Sequence, residues 1–409
     1  MNCSLKKYQV LTVIFAAIGG TTWLIGGESL YGPLLSILLP IAVTISQSRK
    51  QAYTTALIYY LIGSVSITGA ITGYYGPDHT ILGLLAWIGA SAVLALPWMF
   101  GRSALGLSFA LIATAIPPLG VIGWLSPLNA AGVILPDRNL WGIITFFMIT
   151  IELHFLCKLI KCRNSNVAKI IILISLIILI GGGPIGITNF SNIRRPLPLQ
   201  NWIGLQTQIT SARSNLGLDI TNKEALIDTA RKQGKDVRVV VFPEAVLDDW
   251  WPGTQQQFSL AVPSGQIWLI GAQVATPHGK PYNAVVSVVQ NKANPAPLTT
   301  ASGLLLGGDW IPWSTSLGIQ TGIQRTFEIE KQKVWASLCI EQLQPWTWLL
   351  AMSQKQKPTV ILAMSNTWWA PKDSFAPKIQ VASTKAWARL MNVPVIWANN
   401  AIATPTNNP

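Results

Sequence analysis

Charge is spread so unevenly along this chain that its two halves must fold in different surroundings. Residues 1–190 hold ten Lys or Arg and four acids, while the remaining 219 residues hold 19 and 12. Over the whole 409 residues only 11% are charged, against roughly 25% in an ordinary soluble domain. The first half is built instead of apolar runs. About 20 such residues reach across a bilayer as a helix, and seven runs qualify: 9–26, 30–47, 53–73, 80–100, 104–125, 139–157 and 168–187. The sequence predicts a multi-pass helical membrane domain over 1–190, followed by a second domain over 191–409.

The basic residues orient these spans. Lys6, Lys7, Arg49, Lys50, Arg102, Lys158, Lys161, Arg163 and Lys169 fall in alternate connections, and the opposite connections hold only Arg138, beside Asp137. Positive charge marks the cytoplasmic side, so the N-terminus is expected inside and residues beyond about 188 outside the cytoplasm. No small-residue cleavage site follows the first span, which is therefore read as a span and not a signal peptide. The net charge of +13 does not call for nucleic acid, since nearly half the excess lies in the membrane half and sets topology. The bilayer is the expected partner.

The second half alternates strand-like and helix-like segments. Strands are expected at 201–208, 238–242, 266–274, 283–290, 334–338, 359–364 and 393–398, and helices at 222–234, 345–354 and 376–391. Three of the strands end in reactive or polar side chains. Val239-Val-Val-Phe-Pro-Glu-Ala245 ends at Glu244, Trp335-Ala-Ser-Leu-Cys-Ile-Glu-Gln-Leu343 at Cys339 with Glu341 two residues on, and Thr359-Val-Ile-Leu-Ala-Met364 runs into Asn366 and Trp368. In α/β proteins functional groups collect at the carboxyl ends of strands. A cysteine and a glutamate presented this way suggest a thiol nucleophile with a carboxylate base. Cys339 is the one cysteine of the second half; alone it reads either as a buried, inert thiol or as a working one. Cys157 and Cys162 have only His154 close to them in sequence, short of the four ligands of a structural site, so no metal site is expected, and no phosphate loop or cofactor motif is present.

Strand-Pro-Glu, then Gly271-Ala-Gln-Val with Tyr282-Asn283-Ala, then Cys-x-Glu, then Ser365-Asn-x-Trp, in this order, resemble the nitrilase (carbon–nitrogen hydrolase) superfamily. The preceding spans narrow the resemblance to the branch containing apolipoprotein N-acyltransferase. Ala115-Ile-Pro-Pro-Leu-Gly-Val-Ile-Gly-Trp124, Pro127-Leu-Asn-Ala-Ala-Gly-Val-Ile-Leu-Pro136 and Ala382-Ser-Thr-Lys-Ala-Trp-Ala-Arg-Leu390 narrow it further, to the TraB conjugal-transfer family of plasmids.

The resemblance implies an αββα sandwich, a bacterial inner-membrane protein with its second domain in the periplasm, and a Glu–Lys–Cys triad. Glu244 matches the base, Cys339 the nucleophile that forms a thioester, and Glu341 the secondary carboxylate. The backbone N–H of Ile340 matches an oxyanion donor, with Asn366 and Trp368 near the substrate. Phospholipid acyl chains and conjugation-machinery proteins are the implied partners, with no cofactor.

The triad lysine is where this sequence departs. Aligning Asp309 with the acid of the family's loop puts the lysine slot near Ala301, and no Lys or Arg lies between Lys292 and Arg325. Lys280 and then Lys372 are the candidate replacement cations. Two functions therefore stand open: Cys-dependent acyl transfer or amide hydrolysis, or a catalytically silent scaffold of the conjugation apparatus. The acyltransferase branch also continues into further strands and a last span, whereas this sequence ends at Thr404-Pro-Thr-Asn-Asn-Pro409.

Overall fold

The computed structural model describes residues 2–26, 29–162, 199–209, 216–275, 281–302, 324–371 and 373–401. They form two compact units. The first comprises Met1–Pro196 together with Leu343–Trp346 and Phe375–Asn392, and the second Leu197–Gln342, Thr347–Ser374 and Val393–Pro409.

The first unit is helical: α1 (Asn2–Ile25), α2 (Tyr31–Leu35), α3 (Leu38–Ile45), α4 (Arg49–Gly63), α5 (Ser66–Tyr75), α6 (Thr80–Ala95), α7 (Ala104–Ala115), α8 (Asn129–Ile134) and α9 (Asn139–Cys162). Among the described residues three stretches are long and apolar enough to cross a membrane: Tyr8–Ile25, Pro77–Phe100 and Asn139–Lys158. The pair α4 and α5, bent by 49°, makes a fourth if counted as one broken span. Tyr31–Ile45 and Ala104–Ala115 are apolar but shorter. The run 104–125 is α-helical only to Ala115, because Pro117 and Pro118 follow and the residue before a proline is driven out of the helical region; Ile116 is extended, with φ −115° and ψ 155°, and only a 3-10 turn, Leu119–Val121, comes after it. The expected span at 168–187 lies outside the described residues.

The apolar character of these helices is turned outward. Ile81 is 73% exposed, and Leu85 and Ile88 continue its stripe at helical spacing. Leu105, Trp141 and Met148 are likewise exposed. A water-soluble surface rarely carries so much contiguous apolar area, and these helices point to membrane association. The interior is knitted by buried polar pairs: Trp23 Nε1 donates to the Tyr59 hydroxyl at 2.9 Å, which donates to the Leu125 carbonyl at 2.9 Å.

The second unit contains two sheets. One has the strand order β1 (Trp202–Gly204), β3 (Val239–Val241), β4 (Ile267–Val274), β5 (Tyr282–Val289), β6 (Lys292–Ala293), with β7 (Thr299–Thr300) also on β5. The other has the order β2 (Gln206–Thr207), β11 (Val395–Asn400), β10 (Val360–Asn366), β9 (Gln332–Leu338), β8 (Phe327–Ile329). β1, β3 and β4 run parallel, as do β2, β11, β10 and β9. The expected strand 201–208 is thus divided between the sheets at Leu205, whose N–H donates to Val241 while its carbonyl accepts from Asn399.

Val239, Val241, Leu269 and Val285 of the first sheet pack in one buried layer with Val334, Leu338, Leu362, Met364 and Ala398 of the second. The other face of the first sheet, through Val240, Phe242, Trp268 and Ile270, meets α10 (Leu216–Gln233) and α11 (Pro252–Ala261). Strands covered on both faces read as unbroken apolar runs, which is why 239–242 and 359–364 stood out. A further helix, α12 (Pro345–Met352), follows the cysteine turn.

The last helix, α13 (Phe375–Met391), packs within the first unit, chiefly on α8. A Cβ on Gly132 would lie 1.8 Å from the Ala386 carbonyl oxygen, so only glycine admits the two backbones. Ser383 Oγ donates to Asn129 Oδ1 at 3.1 Å, and the Asp137 N–H to the Arg389 carbonyl at 2.9 Å.

Candidate functional site

Glu244 stands where β3 leaves its sheet. Pro243 has no N–H to continue the ladder, and the chain loops outward before Leu247 rejoins Ala272 in a parallel bridge. Ala245, with φ 43°, makes the turn. The loop presses onto β4 at Gly271, where a Cβ would sit 2.3 Å from the Pro243 oxygen and 2.7 Å from the Glu244 Cα. Glu244 is 7% exposed and its Oε1 accepts from Asn283 Nδ2 of β5 at 2.5 Å.

Cys339 closes β9 in the same manner. It is half-buried, and its φ of 39° lies in a region that non-glycine residues enter only at a cost of about 1–3 kcal/mol. A 3-10 turn, Cys339–Leu343, follows and contains the half-buried Ile340. Glu341, fully buried at 0% exposure, accepts from the Leu338 N–H at 2.7 Å and the Ser302 N–H at 2.6 Å. Backbone donors of this kind are worth most to an ionised carboxylate. Gln342 fixes the turn from beneath, donating to the Ser337 and Met364 carbonyls at 3.1 and 3.3 Å and to Ser365 Oγ at 2.9 Å.

These groups are joined through the backbone. Asn283, which holds Glu244, accepts on its carbonyl from the Ala301 N–H at 2.8 Å, and the next N–H, that of Ser302, holds Glu341. Asn366 Nδ2 donates to the Ala245 carbonyl at 3.4 Å, and its Oδ1 accepts from Asn400 Nδ2 at 2.9 Å. Asn400 Oδ1 accepts in turn from Thr207 Oγ1 at 2.8 Å. Hydrogen bonds therefore run along the strand ends from β2 to the Glu244 loop. Trp368 is half-buried just beyond Asn366.

Position 301, where the resemblance expects lysine, holds an alanine. Lys280 and Lys372 lie outside the described residues. Lys292 is exposed and pairs with Val289, six residues along β5 from Asn283, or about 20 Å at the usual strand rise. Among the described residues no three His, Cys, Asp or Glu side chains gather as a metal would require. Sequence reasoning assigned no role to Asn283, Ser302, Gln342 or Asn400; only Asn283 and Gln342 stood inside the motifs that carried the resemblance.

No family model matches the chain. Among solved structures, glutamine-dependent NAD+ synthetase from Acinetobacter baumannii, in complex with adenosine diphosphate, aligns at a TM-score of 0.27 and 16% identity, over 36% of this chain and 30% of that one; so slight a likeness carries no argument. Among curated relatives, the probable conjugal transfer protein TraB of Sinorhizobium fredii is 25% identical over 96% of this chain and 98% of its own length. The conjugal transfer protein TraB of Agrobacterium fabrum is 27% identical over 96% of this chain and 93% of its own. Over nearly its whole length, then, the chain is similar to conjugal transfer proteins named TraB.

Proposed function

We propose that this chain is an inner-membrane component of a plasmid conjugal-transfer system, in which a periplasmic nitrilase-like domain performs Cys339-dependent acyl transfer or amide cleavage. The conjugation role draws on the similarity to the two TraB proteins. The chemistry rests on one observation: a cysteine in the left-handed region at the end of an inner strand, paired on both sides. Backbone strain persists where the surroundings hold it, and it collects at reactive positions.

In this reading Glu244 takes the thiol proton and the Cys339 sulfur attacks a carbonyl carbon. The oxyanion is met by the Ile340 N–H. Collapse breaks the bond to the leaving alcohol or amine, which takes the proton back from Glu244, and leaves a thioester. Water or an amine then attacks the thioester and frees the thiol.

A second reading, a catalytically silent scaffold that binds another conjugation protein, is favoured by Ala301. A missing oxyanion donor typically costs about 100- to 1000-fold in rate. To distinguish the two, membranes holding the full chain are incubated with phospholipid labelled in its acyl chains. Label retained on the protein, released by hydroxylamine and absent from Cys339→Ala supports the enzyme. No label, with normal DNA transfer by Cys339→Ala, leaves the scaffold. Topology is tested separately: a periplasm-dependent reporter fused after Pro409 should be active and one fused after Lys50 silent, and the reverse pattern refutes the orientation.

A further inference from the structure

The first unit carries a basic cavity with no part in the chemistry above. It measures about 570 Å³ and lies between the starts of α4 and α7, lined by Arg49, Phe100, Arg102, Ser103, Leu105 and Phe109 among others. Arg49 is the first residue of α4 and Arg102 stands just before α7, and neither helix has an acid in its first turn. Cations at a helix start oppose the macrodipole. Two of them stand there with no carboxylate paired to either among the described residues, so an anion between the helix starts would meet both charges. The guanidinia are held in place: Arg49 stacks on the Phe100 ring at 5.6 Å, and Arg102 Nε donates to the Ser46 carbonyl at 3.1 Å. Each keeps further N–H donors for a ligand. The surrounding wall is apolar and open, with Leu105 87% exposed and Phe109 beside it also exposed.

We propose that this cavity binds the phosphate of an anionic phospholipid, with the two arginines on the headgroup and Leu105 and Phe109 along the acyl chains. Guanidinium forks match phosphate oxygens, and basic pockets between membrane helices on the cytoplasmic side take such headgroups. The apolar wall argues for a lipid over free phosphate, which gains nothing from it. The proposal rests on reading the first half as membrane-embedded.

The test is native mass spectrometry of the full-length protein in detergent, offered phosphatidylglycerol and phosphatidylcholine of equal chain length. Wild type should retain phosphatidylglycerol preferentially. Arg49 is exposed, so Arg49→Gln should fold normally, and it should lose about fivefold in that retention, the worth of one surface arginine. Arg49→Lys, which keeps the charge but not the fork, should keep only part of it, and adding Arg102→Gln to Arg49→Gln should deepen the loss. Retention of phosphatidylcholine should not change. Equal retention of phosphatidylglycerol by wild type and the double variant overturns the proposal. Displacement of the lipid by excess inorganic phosphate overturns the choice of lipid as the source. If the chain holds neither lipid, the proposal falls, while the membrane reading stands or falls separately on the reporter fusions.

Discussion

Glu341 accepts the N–H of Leu338, the residue immediately before Cys339, at 2.7 Å. Its other oxygen holds the Ser302 N–H. This carboxylate therefore fastens the strand that presents the thiol to the segment following β7. Glu341→Gln puts an amide NH₂ against one of two buried donors. Leaving such a donor unsatisfied costs about 1–3 kcal/mol. We expect a Tm lowered by several degrees in detergent, with the loss independent of whether Cys339 is present. An unchanged Tm would mean that the carboxylate serves chemistry alone.

Gly271→Ala should displace the Glu244 loop. The added methyl would meet the Pro243 oxygen at 2.3 Å, and backbone cannot yield as a side chain tip would. Overpacking of this kind costs about 1–3 kcal/mol. Acyl labelling of Cys339 should fall further than the stability loss explains, because the base moves with the loop. A variant that matches wild type in both readouts would refute the close approach.

Strain at Cys339 can be read by comparing two substitutions. Both Cys339→Ala and Cys339→Gly abolish the thiol, but only glycine accepts a φ of 39° freely. The glycine variant should be the more stable of the two by about 1 kcal/mol, after allowing for its looser unfolded chain. Urea denaturation of the pair decides it, and an alanine variant of equal or higher stability removes the strain argument.

Lys223, whose side chain is 6% exposed, lies 2.7 Å from Asp219 and 3.2 Å from Asp249. Burial pushes its pKa down, but the hydrogen bonds and charges of the two aspartates outweigh burial and raise it above the ordinary lysine value. A raised folded pKa stabilises fully below the unfolded pKa and is lost as pH rises through the folded value. Wild type should therefore exceed Lys223→Met in stability at neutral pH, by about 1 kcal/mol given the half-exposed Asp249. The gap should narrow above about pH 10.4. A gap that persists at strongly alkaline pH would show that packing, not charge, is what the lysine supplies.

The strand ends carrying Glu244, Cys339 and Asn366 were legible because a buried parallel strand announces itself as an apolar run and stops at a polar residue. The partners that hold them were not. Asn283 lies 39 residues from Glu244, Ser302 lies 39 from Glu341, and Thr207 lies 193 from Asn400. No local spacing encodes pairs brought together by sheet register. Nor did the run 201–208 reveal that it changes sheets at Leu205, since both sheets demand the same apolar alternation. The helix expected at 376–391 is found at Phe375–Met391, but nothing in its sequence said that it would lie on α8.

That last helix has a consequence for inheritance. Each compact unit is assembled from separated stretches of chain, and the join at Gly132 and Ala386 brings together residues 254 positions apart. A single recombination between two related genes near residue 190 would seat one parent's α13 on the other parent's α8. Where the contact tolerates no methyl group, most such hybrids should fail. The two halves of the gene are expected to travel together, or to be exchanged only by a double crossover that returns residues 375–392 with the first half.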